Sequence, residues 1–244
     1  ARFAAQVSQE GLPEAGRIVV LRPRDPEELA ALPRDRITLV QPVQPHHDLL
    51  AGQGFDIHAR LSGRFDAAVV FLPRARELAR SLVADAEAAV APGGAIILDG
   101  QKTDGVDALL RAVRARVAVS SPFAKAHGKT FAFEAGEAFG DWRAPAPAPG
   151  ADGFVTVPGV FSADGPDPGS ALLAEALPRR LPRHVVDLGA GWGYLASRVL
   201  MHPGVAHVDL VEADLDALDC ARANISESRA AFHWADARGW RPAA

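Results

Sequence analysis

The sequence predicts an α/β protein made of two tandem parallel-sheet domains, the second incomplete at its C-terminus. Three observations predict it. Short β-type runs alternate with helical stretches, a Pro/Ala tract interrupts the alternation near residue 143, and the alternation then restarts. Residues 17–21 and 37–40 are apolar runs of the buried-strand type. Residues 66–72 form a third, followed by a helix over about 74–90 that Pro92-Gly93-Gly94 stops, because this triplet cannot continue helical backbone. A strand over 95–98 and a helix over 106–116 follow. The tract Arg143-Ala-Pro-Ala-Pro-Ala-Pro-Gly150 lacks the amide donors that a helix or central strand requires, so an extended linker is expected there. The expected boundaries are 1–142, a linker over 143–152, and 153–244.

In the second domain a helix near 169–177 precedes a strand over 184–188 and a helix over about 194–201. A strand over 207–211, a helix over 215–224 and a strand near 230–234 complete the pattern, and the chain ends ten residues later. Three strands are fewer than the five or more of a complete doubly wound sheet, so this domain is expected to be cut short.

Composition narrows the function classes. Of 244 residues, 48% are hydrophobic and 23% charged, which suits packed cores rather than disorder. Cys220 is the only cysteine, so there is no internal disulfide framework and a reducing compartment fits. No basic segment followed by an apolar stretch opens the chain, and no apolar run approaches the length of a membrane span. A cytoplasmic protein without membrane association is expected. The net charge of −4 excludes a general nucleic-acid binder, since phosphate affinity needs clustered cations. One basic cluster exists: Arg111, Arg114, Arg116, Lys125 and Lys129 lie in a stretch without acids. It reads either as a solvated face or as an RNA-contacting patch. His46-His47 form no spaced ligand set with Cys220, so no metal site is expected.

The chemistry centres on Val185-Val186-Asp187-Leu188-Gly189-Ala190-Gly191-Trp192-Gly193, at a strand-to-helix turn. Gly189, Gly191 and Gly193, with Ala190 between, let the backbone bend sharply and approach a ligand without side chains in the way. The amides of the turn and of the following helix then face that ligand. A dinucleotide fold would place its third glycine at 194, where this sequence has Tyr194. An acid, Asp187, sits two residues before the first glycine. It would repel a pyrophosphate but suits the ammonium of an amino-acid cofactor, the methionine part of S-adenosyl-L-methionine.

Two further acids fall on the next strand ends. Glu212 closes Asp209-Leu-Val-Glu212 and can accept from both ribose hydroxyls. Asp236, after the third strand, can accept from the adenine amino group. Upstream, Asp167 and Ser170 read equally as a cap on the next helix or as direct cofactor contacts.

These residues resemble a known family. Phe161-Ser-Ala-Asp164, then Asp167-x-Gly169-Ser170-x-Leu172-Leu173, then Val186-Asp187-Leu188-Gly189-x-Gly191-x-Gly193 are similar to the ribosomal RNA small subunit methyltransferase C family. Ala221-Arg222-Ala223-Asn224 is similar as well. The resemblance implies two Rossmann-like methyltransferase-type domains in tandem, the first degenerate and without a cofactor loop. Phe65-Asp66 to Leu72 and Ala91-Pro92-Gly93-Gly94 to Leu98 read as the latter half of that degenerate domain. It also implies S-adenosyl-L-methionine as cofactor, methylation of guanine N2, and ribosomal RNA or the small ribosomal subunit as partner. Family members carry an Asn-Pro-Pro-aromatic motif after the fourth strand of the second domain, which holds a flipped base. No Asn-Pro-Pro occurs here, and Phe71-Leu72-Pro73-Arg74 in the analogous place of the first domain lacks the amide. The catalytic motif is therefore expected beyond Ala244. A non-catalytic cofactor- or RNA-binding protein is the alternative.

Overall fold

The computed structural model describes Phe3 and residues 12–242. The chain divides into two compact units, one of Ala1–Gln41 with His46–Ala144, the other of Pro145–Ala244 with Pro42–Pro45.

The first unit is a seven-stranded sheet. Its elements are β1 (Ile18–Leu21), β2 (Ile37–Val40), α1 (Gln44–Gly52), β3 (Ile57–His58), β4 (Phe65–Phe71), α2 (Arg76–Ala89), β5 (Val90–Gln101), α3 (Val106–Arg114), β6 (Phe123–Lys125) and β7 (Gly128–Glu134). The strand order is β3-β2-β1-β4-β5-β7-β6. β1 pairs in parallel with both β2 and β4, aligning Ile18 with Ile37 and with Ala67. Both faces are covered, which is why these strands read as unbroken apolar runs. Val19, Leu21, Val70, Ile96 and Leu98 pack on one side with Val83 of α2 and Leu110 and Val113 of α3. Val20, Leu39, Val69 and Ile97 pack on the other with Leu29, Leu32 and Leu50.

The sheet departs from the all-parallel expectation at one edge. β7 runs antiparallel to β5 and to β6. The β6–β7 turn holds Ala126 and His127 at φ 51° and 58°, the left-handed region usually given to Asn or Gly. With neither residue there, the hairpin carries no turn signature in the sequence.

The strand order of this unit reverses between β1 and β4, the place where doubly wound sheets bind ligands. No glycine loop follows β1. Arg22-Pro23-Arg24-Asp25 follows instead, and Asp25 caps a short turn by accepting from the Glu27 and Glu28 amides. Arg24, Asp25 and Glu28 line the resulting cavity, with Asp99 and Gln101 from the end of β5.

The second unit holds α4 (Pro168–Ala176), β8 (His184–Leu188), α5 (Tyr194–Leu200), β9 (His207–Glu212), α6 (Leu215–Asn224) and β10 (Ala230–Trp234). Its three strands are parallel in the order β10-β9-β8, with Val186 opposite Asp209 and Leu188 opposite Val211. Val208 and Leu210 pack against Ala196, Val199 and Leu200 of α5 and Ala221 of α6. His184 and Leu188, on the opposite face, are exposed.

Buried Glu87 of α2 ties the helix to the chain after β7, accepting from the Ala138 amide at 3.0 Å and the Phe139 amide at 2.9 Å. Glu87→Ala strands both amides and is expected to cost about 2–4 kcal/mol in urea denaturation at an unchanged denaturant slope.

Candidate cofactor-binding site

β8 delivers Asp187 to the head of the glycine bend. One of its carboxylate oxygens, Oδ2, is buried and has no hydrogen-bond partner among the described residues. An unpaired buried oxygen of this kind is costly unless a donor arrives. Burial pushes its pKa up to about 6; the Ala196 backbone amide opposes this and the charge of Glu212 adds to it.

The bend is built from left-handed glycines, at φ 80° for Gly189, 55° for Gly191 and 91° for Gly193. A side chain added at Gly189 or Gly191 would meet nothing within 4 Å, so these two are dictated by backbone conformation and leave open space beside the bend. Gly193 is needed for packing too: a Cβ there would sit 2.9 Å from Ile225 Cδ1 and 3.3 Å from Ala221 Cβ. The Gly189 and Ala190 amides both donate to the Val211 carbonyl, at 2.8 and 3.1 Å, and fasten the bend to the end of β9.

Glu212 ends β9 beside this bend. Its Oε2 accepts from the Gly191 amide at 2.8 Å and its Oε1 from the Asp214 amide at 2.8 Å. The acid expected at the ribose thus also shapes the loop. Each carboxylate oxygen keeps a second lone pair for a hydroxyl donor. Asp187 and Glu212 are brought together by the Leu188–Val211 register.

The remaining expected contacts are occupied locally. Asp236 follows β10 and pairs with Arg238, whose Nη2 lies 2.6 Å from Oδ2; that contact holds its carboxyl below the usual range. Asp167 caps α4 by accepting from the Ser170 amide at 2.9 Å, and the Ser170 hydroxyl lies 3.4 Å from the same oxygen. In the basic cluster, Arg116 pairs with Asp141 at 2.8 Å and lies over the Trp142 ring, while Lys129 meets Asp107 at 2.6 Å. Arg111 and Arg114 are exposed on the last turn of α3, and Lys125 is exposed on β6.

Two residues missed by sequence reasoning hold the bend from behind. Trp192, between the second and third glycines, is buried; its indole donates to the Phe161 carbonyl at 3.0 Å and its ring packs on Phe154 and Tyr194. Asn224 accepts from the Val155 amide at 2.7 Å and donates to the Val155 and Trp192 carbonyls, each at 2.9 Å. A tryptophan inside a glycine loop and the sole asparagine of the chain were the available signals.

A family model described as the methyltransferase small domain matches residues 152–240. The ribosomal RNA small subunit methyltransferase C of Pseudomonas paraeruginosa is 32% identical over 231 residues, covering 85% of this chain and 69% of that protein. The protein of the same name from Psychromonas ingrahamii is 31% identical over 180 residues, covering 68% of this chain and 50% of that one. Among solved structures, the T. thermophilus 16S rRNA N2 G1207 methyltransferase in complex with AdoMet and guanosine superposes with a TM-score of 0.72 at 23% identity. The match covers 96% of this chain and 68% of that one, and it shows a shared fold.

The raised pKa of Asp187 fixes a sign. With the folded value near 6 and the ordinary value at 3.8, the folded chain holds the proton more tightly. The associated stability is present below 3.8 and is lost as pH rises towards 6. Asp187→Asn removes that loss, and denaturation of the cofactor-free protein at pH 7.5 is expected to show a gain of about 1–3 kcal/mol that vanishes near pH 3.5.

Proposed function

The chain belongs to the ribosomal RNA small subunit methyltransferase C family, and from that premise we propose that it transfers a methyl group from S-adenosyl-L-methionine to N2 of a guanine in small-subunit ribosomal RNA. The observation that carries the cofactor assignment is the buried, unpartnered oxygen of Asp187 at the head of a bend with open space beside it. An ammonium is the donor that such an oxygen lacks.

In this reading Asp187 accepts from the cofactor's ammonium and Glu212 from its ribose hydroxyls. The bend at Gly189, Ala190, Gly191 and Gly193 passes close to the ligand without side chains in its path. Asp236 receives the adenine amino group while sharing its carboxylate with Arg238. Asp167 and Ser170 hold the start of α4 beside the site. The cofactor supplies a sulfonium-bound methyl group that is electrophilic without a metal. The protein's contribution is to fix that methyl in line with the attacking amine and to keep water away. Asp187, Glu212 and the glycine bend would hold the cofactor, which would supply the methyl group to the N2 amine of the acceptor guanine.

Ribosomal RNA or the small subunit is the partner this activity requires, and the cytoplasm is where it would be met. No helix among the described residues is long and apolar enough to cross a membrane. Arg111, Arg114, Arg116, Lys125 and Lys129 are the cluster residues proposed to meet RNA phosphates, Arg116 and Lys129 also pairing with acids beside them.

Calorimetry on the intact protein tests the assignment. Asp187→Asn and Glu212→Ala are each expected to weaken S-adenosyl-L-methionine binding by about 1–3 kcal/mol, the loss of a charged hydrogen bond. Wild-type affinity should also decline as pH falls below about 6, where the Asp187 carboxyl takes up a proton. Unchanged affinity in both variants, or binding of NADH in place of S-adenosyl-L-methionine, refutes these roles. Labelled-methyl transfer to unmethylated small subunits, read as N2-methylguanosine, tests the activity; binding without transfer favours the non-catalytic reading.

A further inference from the structure

The face of the second sheet opposite α5 and α6 carries a cluster that the cofactor site does not use. Each of its three strands contributes a histidine. His184 begins β8, His207 begins β9 directly opposite it, and His233 lies on β10. All three rings turn Nε2 towards one carboxylate, that of Asp209. The distances are 2.5 Å from His184 to Oδ2, 2.6 Å from His233 to Oδ1 and 3.2 Å from His207 to Oδ1. His184 and His207 stand edge to face with centroids 5.0 Å apart.

The burial is graded. The Asp209 side chain is 7% exposed, while those of His184, His207 and His233 are 47%, 42% and 33% exposed. A buried carboxylate ringed by imidazoles whose outer edges meet solvent leaves a route for a small cation. The ligand atoms of His184, His207 and Asp209 all lie within 4.8 Å of one another, so they surround a common point.

We propose that His184, His207 and Asp209 form a binding site for a zinc ion that cross-links β8 and β9, while His233 keeps its hydrogen bond to Asp209. Two imidazoles with one carboxylate make a nitrogen–oxygen donor set that suits zinc at tetrahedral geometry, with water as the fourth ligand. On binding, each ligating Nε2 gives up its hydrogen and presents its lone pair, the ring proton resides on Nδ1, and the cation takes the place of the protons between the imidazoles and Asp209. The role is structural. The pair His184 and His207 begins the strands, whereas the glycine bend follows the far end of β8. The histidines lie one per strand, far apart in the chain, which is why local spacing gave no ligand pattern.

The test uses intact protein dialysed against chelator and then titrated calorimetrically with zinc chloride. One equivalent is expected to bind with micromolar or tighter affinity. His184→Gln with His207→Gln keeps two amide donors to Asp209 but removes two metal ligands. The double variant is expected to fold, to bind S-adenosyl-L-methionine as the wild type does, and to lose at least tenfold in zinc affinity. Independently of that variant's folding, zinc-edge absorption spectroscopy of the wild-type complex should show at least two imidazole shells at about 2.0–2.1 Å. Millimolar or weaker zinc binding, unaltered affinity in the folded double variant, or a zinc shell without imidazole overturns the site. Each of those results leaves Asp209 as the acceptor of a purely hydrogen-bonded cluster, without bearing on the cofactor assignment.

Discussion

The site is organised around one electrostatic conflict, a carboxylate oxygen placed out of water with no partner among the described residues. Asp187 is held there by the parallel pairing of β8 with β9, which buries its flank while the chain bends away at Gly189. The Ala196 backbone amide relieves the carboxylate only in part. The Gly189 and Ala190 amides are engaged by Val211, and the Gly191 amide by Glu212. The nearest charge is another carboxylate. Under the proposed function a cationic ligand would supply the missing donor, and binding would recover the free energy that burying this carboxylate costs the fold, a familiar trade between stability and function.

The two units show how little separates a scaffold from a site. Both place a parallel strand ahead of a turn, yet the turn after β1 is Arg22-Pro23-Arg24-Asp25 and the turn after β8 is Gly189-Ala190-Gly191-Trp192-Gly193. In the first, Asp25 spends its carboxylate on the amides of Glu27 and Glu28 and charged side chains line the crevice. In the second, Gly189 and Gly191 leave open space beside the bend, and Trp192 and Asn224 brace it from the protein side. The bracing matters because left-handed glycine backbone is entropically expensive to hold in one shape.

What could be read in the sequence was local. The alternation of strands and helices, the glycine bend and the acids at successive strand ends each lie within a few residues, and β8, β9 and the bend appear where the pattern placed them. Contacts made across the chain were hidden. The pairing of β7 against β6 turns on Ala126 and His127 adopting left-handed backbone that their residue types do not advertise. The capture of Asp236 by Arg238 competes with a ligand role that spacing alone implied. Asn224 stood out as the sole asparagine, but its bonds to Val155 and Trp192 exist only once the fold is formed. The histidines around Asp209 converge only after three strands align.

The most direct measurement of the central claim is the titration of Asp187 itself, followed by carboxyl carbon NMR in protein labelled at aspartate and assigned with Asp187→Asn. The account predicts a pKa near 6 without ligand and a fall below the ordinary aspartate value of 3.8 when S-adenosyl-L-methionine is bound, because an ammonium then meets the buried oxygen. A pKa that starts at the ordinary value, or one that does not move on saturation with the cofactor, would contradict it.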